Sequence, residues 1–330
     1  MTSAALQRLS RLGFGTMAVG GQYADVTDEQ ATAAIQAALD NGVTFFDTAP
    51  QYGCGLAEER LGRALSGARR DSVSIASKVG KRIVPVGSGG QRQREIFFPG
   101  GHDAEMEFDY SYDGTLAIVE GSLKRLDTNR LDLVLIHDVI RHFHGEDGVH
   151  EVATAAISGA VRALHRLRDQ GVVGAIGTGL KDVDIAARFI EEADIDAVLV
   201  PGRLTLLDQS ALHEGLLDLC AKHGVAYIAA SPFDSGILAT GPKPGTTYGY
   251  RPPSPEIVAR AETIMRVCSD HDVSLAAAAL QYPGRHPAVA SVLSGMRTVD
   301  EVQANARLMQ QAVPDALWPA LNAAAGVPLP

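Results

Sequence analysis

Short apolar segments alternate with amphipathic segments along nearly the whole chain. Eight apolar segments have the length and composition of buried strands, and they lie at residues 12–17, 43–48, 73–78, 131–137, 175–179, 197–200, 226–230 and 289–293. Between them, apolar residues recur with helical spacing at 28–41, 57–66, 113–126, 154–170, 182–192, 209–223, 255–271 and 298–311. This alternation predicts a parallel sheet, and eight repeats can close it into a (β/α)8 TIM barrel.

An open, doubly wound sheet shows the same alternation, so the phosphate-binding signature distinguishes the two folds. The dinucleotide fingerprint G-x-G-x-x-G needs a third glycine. Gly13 and Gly15 are followed by Ala18 at that place, and the G-x-G words at 53–55 and 177–179 lack the third glycine too. No P-loop word occurs in the sequence. These observations favour the barrel.

Two long stretches, 84–112 and 239–255, are rich in residues that break regular structure. Both follow strands on the face where barrels build their sites, so we expect loops that shape or cover a binding site, with plain surface flexibility as the alternative. The remaining pattern is continuous. We therefore expect one barrel domain over residues 1–330.

Bulk properties narrow the range of partners. The chain is 46% hydrophobic and 21% charged, and its net charge of −10 argues against binding to nucleic acid or to an anionic membrane. The sequence shows neither a secretory signal nor an apolar run that could span a bilayer. Cys54, Cys220 and Cys268 are far apart, which suits a reducing compartment. We expect a cytoplasmic protein with a small-molecule partner; the sequence carries no signal for its oligomeric state.

Chemically active side chains stand at the ends of three successive strands. Asp47, Lys78 and His137 end the second, third and fourth segments, and Tyr52 follows Asp47 in the next turn. Because side chains alternate along a strand, each of the three is the last member of an inward-facing row. Neighbouring strands lie about 4.8 Å apart, which brings the three ends together. A carboxylate, a phenol, an ammonium and an imidazole at one mouth predict a proton-transfer site.

The expected roles follow from the acidity of each group. A phenol titrates near pH ~10, so Tyr52 needs a positive charge nearby to exchange a proton at neutral pH, and Lys78 can supply it. Asp47 would keep Lys78 charged, and His137 would donate a hydrogen bond to the substrate oxygen. Taken singly, each residue could instead cap a turn, pack or face solvent.

The words around these residues resemble those of the aldo-keto reductase family. Residues 47–58 are similar to its D-T-A-x-x-Y-G-x-G-x-x-E word, and Lys78 and His137 match its strand-three lysine and strand-four histidine. Residues 171–177, 231–238 and 294–305 resemble its later motifs, although Gly179-Leu180 replaces a common Ser-Asn and Leu204 replaces a tyrosine. The resemblance implies a barrel enzyme with Tyr52 as general acid and base.

The resemblance also implies a nicotinamide dinucleotide across the C-terminal mouth. Its expected contacts are Gly15, Thr16, Asp47, Ser231, Pro232, Phe233, Ser235, Gly236, Leu238, Gly295, Arg297, Glu301 and Asn305. Glu301 stands where members that prefer NADPH have a basic residue, and a carboxylate repels a 2′-phosphate but accepts a hydrogen bond from a 2′-hydroxyl. We therefore expect NAD, while Arg297 leaves NADP open.

Within the family, the loops at 108–114 and 135–144 resemble members that oxidise a cyclic hemiacetal with NAD, either an aldose such as L-fucose or L-galactose, or pyridoxal. Expected substrate contacts are Tyr52, His137, His142 and Arg203. An NADPH-dependent aldehyde or ketone reductase and a nucleotide-binding regulatory subunit remain alternatives. A metal hydrolase using the histidines at 137, 142, 144 and 150 is disfavoured because their spacing suits no compact site, so no metal is expected.

Overall fold

Ten strands build the framework of residues 5–22 and 24–329, the part of the chain that the computed structural model describes. They are β1 (Leu12–Gly15), β2 (Phe45–Asp47), β3 (Ser74–Val84), β4 (Gln91–Arg92), β5 (Glu105–Asp109), β6 (Leu133–His137), β7 (Ile176–Gly179), β8 (Ala197–Pro201), β9 (Ala226–Ala230) and β10 (Val289–Gly295).

Eight of these strands run parallel and close into a ring. β1 pairs with β2 and β10, β2 pairs with β3, β3 pairs with β6, and β6 to β10 pair in chain order. A closed ring leaves no sheet edge unpaired. The predicted (β/α)8 barrel is confirmed, and each of its eight strands overlaps a predicted segment.

Helices surround the barrel. They are α1 (Asp28–Asp40), α2 (Leu56–Ala64), α3 (Gln93–Ile96), α4 (Tyr112–Arg125), α5 (Arg141–Ala156), α6 (Arg162–Asp169), α7 (Val183–Glu192), α8 (Ser210–His213), α9 (Leu216–His223), α10 (Ile237–Thr240), α11 (Pro255–Asp270), α12 (Leu275–Gln281), α13 (Val299–Gln310) and α14 (Leu317–Ala325).

Two predicted helices have different bounds. Helical structure before the stretch predicted at 154–170 begins at Arg141, is interrupted at Gly145 with a φ of 75°, and continues through a π-helical turn, Ile157–Val161, between α5 and α6. The stretch predicted at 209–223 is divided into α8 and α9 by Gly215, whose φ of 76° ends a helix. The sequence pattern did not indicate α12 and α14, whose alanine-rich turns give a weak apolar stripe.

Two apolar clusters hold the fold together. The larger lies between the strands and the helices. The smaller fills the barrel and includes Phe45, Ala76 and Leu135, the residues two positions before Asp47, Lys78 and His137. Leu6 belongs to this inner cluster and closes the N-terminal end of the barrel. The inward rows predicted from the sequence therefore end in polar side chains at the opposite, C-terminal mouth.

The stretch 84–112 is more regular than the sequence suggested. β3 continues past the barrel to Val84 and pairs antiparallel with β5, which also pairs with β4. The Glu105 carboxylate binds the backbone N–H groups of Gly87 and Gly90 at 2.8 and 2.9 Å and fixes the connecting turn. The Gly-rich and Arg-rich sequence hid these hairpin strands, and between them residues 85–104 contain only β4 and α3 as regular elements.

The stretch 239–255 is tied to the turn after β9. The Thr247 hydroxyl donates to the Ser235 carbonyl at 2.9 Å, and the Tyr250 N–H donates to the Ser235 hydroxyl at 3.1 Å. α11 then begins behind Ser254, whose hydroxyl accepts the Ile257 N–H, with Pro255 in its first turn. This segment is therefore a strap beside the mouth.

Candidate active site

A buried ion pair lies at the mouth between the ends of β2 and β3. The Lys78 ammonium donates to both carboxylate oxygens of Asp47 at 2.7 Å and to the Thr48 carbonyl at 2.9 Å. Lys78 and Asp47 are each only 2% exposed. Burial raises the pKa of Asp47, and the Lys78 charge opposes that rise. Each charge therefore depends on the other for compensation.

Tyr52 covers this pair. The Lys78 nitrogen lies 4.7 Å from the centroid of the Tyr52 ring. The His137 ring meets Tyr52 edge-on at a centroid distance of 6.2 Å, and Phe98 packs against Tyr52 at 6.0 Å. The structure thus brings together all four side chains that the sequence placed in one proton-transfer site.

The acidity expected of Tyr52 is not found. Burial raises its pKa well above 10, and the charges of Asp47 and Asp138 add to the rise. Lys78 does not reverse this effect, because its charge is directed into the contacts with Asp47 and the Thr48 carbonyl. In this state Tyr52 is a protonated phenol, a donor at neutral pH.

His137 is neutral at physiological pH. Burial is the main reason that its pKa falls to about 3. The Asp138 carboxylate lies 3.6 Å from Nε2 of His137, and a lone pair at Nε2 would face this negative charge. The proton is therefore favoured at Nε2, where it can be donated to a substrate oxygen.

Local sequence explains the tight turn that carries Tyr52. Gly53 has a φ of 68°, and a Cβ there would lie 2.3 Å from the Gly20 carbonyl oxygen. Glu58, on α2, is fully buried; its carboxylate accepts from the Ser77 hydroxyl and from the Arg125 guanidinium, both at 2.7 Å. The glycine and glutamate of the 47–58 word therefore hold the turn and the residue before Lys78 in place.

A second ion pair, Lys81 with Asp138, lies beside the quartet of Asp47, Tyr52, Lys78 and His137. The sequence did not indicate this pair. Lys81 donates to Asp138 at 2.5 Å and to the Gln51 side chain at 2.8 Å. Its ammonium is capped by the rings of Phe108 and Phe143, at 5.0 and 4.3 Å from their centroids. The available signal was spacing, because Lys81 follows Lys78 by three residues in a chain with few lysines.

Tyr110 anchors the backbone of His137. Its hydroxyl donates to the His137 carbonyl at 2.8 Å and lies 3.5 Å from Nε2 of His144. Gly159, in the π-helical turn, lets the Tyr110 backbone pack closely against that turn, because a Cβ on Gly159 would lie 2.5 Å from the Tyr110 carbonyl oxygen. The hairpin and this turn thus position the histidine.

Strand register groups the first of the expected cofactor contacts. Gly15 pairs with both Asp47 and Gly295, and the Thr16 N–H donates to the Asp47 carbonyl at 2.9 Å. Within residues 5–22 and 24–329, the buried Thr16 hydroxyl has no hydrogen-bond partner. A Cβ on Gly295 would meet no atom within 4 Å. A buried hydroxyl without a protein partner fits a polar ligand such as a nicotinamide nucleotide.

The turn after β9 contains the next group of expected contacts, which are Ser231, Pro232, Phe233, Ser235, Gly236 and Leu238. Ser231, Asp234 and Ser235 have left-handed backbones with φ between 47° and 62°. Burial raises the pKa of Asp234 to about 7, while the Thr205 hydroxyl donates to its carboxylate. Leu238, in α10, is fully buried in the outer cluster, so in this structure it presents no surface to a ligand.

The last group lies at the start of α13. The Glu301 carboxylate accepts the Arg297 N–H at 2.7 Å and lies 3.6 Å from the Arg297 guanidinium. The Asn305 side chain donates to the Ser294 hydroxyl at 3.2 Å. Arg297 and Glu301 are thus a coupled pair, and the positive charge at this end is partly offset.

The other two expected substrate contacts, His142 and Arg203, bind residues outside the quartet. His142 is exposed on α5, where its ring contacts Phe143. Arg203 binds Asp208 at 2.8 Å and the Lys181 carbonyl at 3.2 Å. None of these contacts involves a member of the quartet, so the roles of His142 and Arg203 stay predictions.

Two absences hold within residues 5–22 and 24–329. No cluster of three or more His, Cys, Asp and Glu side chains there is arranged to hold a metal ion. No helix there combines the length and apolarity needed to cross a bilayer.

Comparison with known proteins agrees with the fold and the motifs. The sequence model of the Aldo/keto reductase family matches residues 11–325. The chain is 36% identical to pyridoxal 4-dehydrogenase of Microbacterium luteolum, covering 95% of this chain and 93% of that protein, and 35% identical to D-threo-aldose 1-dehydrogenase of a Pseudomonas species, covering 99% and 98%. Among solved structures, the holo form of an aldo-keto reductase from Bacillus halodurans superposes with a TM-score of 0.75 at 25% identity, covering 97% of this chain and 94% of that one. The chain belongs to the aldo/keto reductase family.

Proposed function

We propose that the protein is an NAD-dependent dehydrogenase that oxidises the anomeric hydroxyl of an aldose, such as L-fucose or L-galactose, to the lactone. The observation that carries the proposal is the grouping of Tyr52, His137 and the Lys78–Asp47 pair around one point of the mouth. Alcohol oxidation needs a proton acceptor and a hydrogen-bond donor at the same oxygen. The similarity to a D-threo-aldose 1-dehydrogenase supports a sugar substrate.

In this proposal the chain's own residues handle the proton. Tyr52 exchanges it with the anomeric hydroxyl, and neutral His137 donates a hydrogen bond from Nε2 to the same oxygen. The Lys78–Asp47 ion pair beneath the phenol is fixed in position and buried from water. Bound NAD supplies the hydride acceptor and a positive charge that favours the phenolate over the phenol.

The dinucleotide is proposed to contact Thr16, the turn after β9 and the start of α13. The unpartnered Thr16 hydroxyl supports the first contact. Glu301 supports NAD over NADP, because its carboxylate already offsets Arg297 and would repel a 2′-phosphate.

Cofactor choice can be tested at Glu301. We expect the ratio of kcat/KM with NADP to kcat/KM with NAD to rise by about tenfold in Glu301→Gln, which corresponds to about 1.4 kcal/mol. Asp300→Asn, an exposed acid in the same helical turn, is the matched control and should leave the ratio unchanged. Equal ratios in wild type and Glu301→Gln would contradict the assignment.

The activity itself is tested by NADH production with L-fucose, L-galactose, D-arabinose and pyridoxal. Turnover of a sugar supports the proposal, and its absence from all three sugars contradicts it. Tyr52→Phe should abolish turnover and keep nucleotide affinity. Tyr112→Phe, which alters a tyrosine held by Arg166 on the outer surface, is the control and should remain active.

Two alternatives have specific support. The similarity to pyridoxal 4-dehydrogenase favours oxidation of pyridoxal to its lactone, which the same panel detects. The raised pKa of Tyr52 favours a proton donor, and hence an NADPH-dependent aldehyde or ketone reductase. Faster aldehyde reduction with NADPH than sugar oxidation with NAD would select the reductase.

A further inference from the structure

We infer that Asp138 binds the substrate, by accepting a hydrogen bond from a hydroxyl group on the carbon next to the reacting carbon. The inference rests on the proposed function, because it names a contact within the same site. It makes Asp138 a residue that selects hydroxylated substrates over simple aldehydes.

The backbone of Asp138 turns its side chain back toward the mouth. Its φ is 55°, a left-handed conformation that is unusual for a residue with a side chain. The Asp138 N–H still donates to the Gly179 carbonyl at 3.1 Å, so the strand pairing of β6 continues up to this point. Such conformations often occur at functional sites, where the surrounding structure maintains them.

Lys81 fixes the orientation of the carboxylate. It holds Oδ2 of Asp138 at 2.5 Å, and Lys81 itself is only 4% exposed beneath the rings of Phe108 and Phe143. Although burial alone raises it, the pKa of Asp138 lies below its ordinary value, and Lys81 is among the charges responsible. Asp138 is therefore a charged, oriented acceptor.

The other oxygen, Oδ1, lies 3.6 Å from Nε2 of His137. That distance is too long for a hydrogen bond between them, so each atom can bind a different substrate oxygen. A donor and an acceptor side by side match two neighbouring oxygen-bearing carbons: the reacting oxygen accepts from His137, and the adjacent hydroxyl donates to Asp138. The His137 ring in turn meets the Tyr52 ring edge-on at a centroid distance of 6.2 Å, so Oδ1 lies beside a member of the reacting group.

The experiment compares each hydroxylated substrate with its deoxygenated partner. The pairs are L-fucose with 2-deoxy-L-fucose in oxidation, and lactaldehyde with propanal in reduction. The readout is the ratio of kcat/KM within each pair, which does not depend on the amount of active enzyme. The variant is Asp138→Asn, because asparagine tolerates the left-handed backbone but carries no charge. The control is Asp127→Asn, an exposed aspartate with a similar φ of 48° at the end of α4.

We expect wild type and Asp127→Asn to prefer the hydroxylated substrate by about 10–100-fold, as a charge-assisted hydrogen bond allows. In Asp138→Asn the ratio should fall at least tenfold, whatever the change in kcat/KM that both substrates share. A preference that survives in Asp138→Asn, an equal loss with both substrates, or a wild type without any preference overturns the inference.

The two pairs separate this inference from the proposed function. A wild type that reduces both aldehydes but oxidises no sugar contradicts the aldose dehydrogenase, while the lactaldehyde to propanal ratio still decides the role of Asp138. A wild type that acts on neither pair overturns both proposals.

Discussion

Replacing Lys78 with methionine should destabilise the protein by leaving a buried charge without its partner. Both Asp47 oxygens are held by Lys78 at 2.7 Å, and the Asp47 side chain is 3% exposed, so water cannot replace the ammonium. Removing one member of a buried pair typically costs about 3–5 kcal/mol. With about 2.1 cal/mol/K of unfolding entropy per residue, this loss lowers the melting temperature of a 330-residue chain by about 4–7 °C.

The double variant Asp47→Asn/Lys78→Met separates stability from activity. It removes both charges, so its melting temperature should return to near that of wild type. Turnover should be lost in both variants, because Tyr52 no longer packs over the Lys78 ammonium. The Lys78 charge opposes the rise that burial causes in the pKa of Asp47, so in Lys78→Met that pKa should lie higher still. The destabilisation of Lys78→Met relative to the double variant should therefore be smallest at low pH and should grow as pH rises through that raised pKa.

The assay is thermal unfolding from pH 5 to pH 8, with NADH production measured in parallel. Equal melting temperatures for Lys78→Met and the double variant would refute the reasoning, because the unpaired carboxylate would then cost nothing. A difference in melting temperature between Lys78→Met and the double variant that did not change with pH would refute it too.

Three further predictions concern residues around the quartet. Burial holds the pKa of His137 at about 3, below its ordinary 6.5. Between these two pH values the unfolded chain binds more protons than the folded one, so stability should fall as pH drops through that window. Thermal melts should therefore show a smaller loss of stability in acid for His137→Gln. Asp234, with a pKa of about 7, should ionise as pH rises and weaken dinucleotide binding, and titration calorimetry should find this pH dependence absent in Asp234→Asn. Tyr110→Phe removes the hydrogen bond to the His137 carbonyl and should lower the free energy of unfolding by about 1 kcal/mol in urea, with a reduced kcat; an unchanged kcat would show that the anchor does not position His137.

The barrel could be predicted from the sequence because its strands are apolar runs separated by regular amphipathic helices. Strand-end positions followed from alternation alone, which is why Asp47, Lys78 and His137 could be placed together before any coordinates. Tyr52 could be added because it follows Asp47 in the next turn, within reach of the strand ends, and the family word then agreed with its place.

The remaining features depend on contacts between distant segments. The hairpin at 80–84 and 105–109 has an interrupted apolar pattern, so its strands were missed, and with them the enclosure of Lys81 by Phe108. The acidity of Tyr52 was misjudged because it is set by how completely neighbours exclude water, which spacing along the chain does not reveal.

The length of β3 separates two tasks within one strand. Its first part, in the barrel, carries Lys78, and its last part, in the hairpin, carries Lys81, with Gly80 at a φ of 102° as the joint between them. Under the proposed role of Asp138, substitutions in the hairpin that leave Tyr110 in place should alter which molecules are accepted, while Lys78 keeps its contacts with Asp47 in the barrel. Divergence among descendants of this protein should accordingly concentrate in the hairpin after Gly80, where new specificities can arise while the proton-transfer residues stay the same.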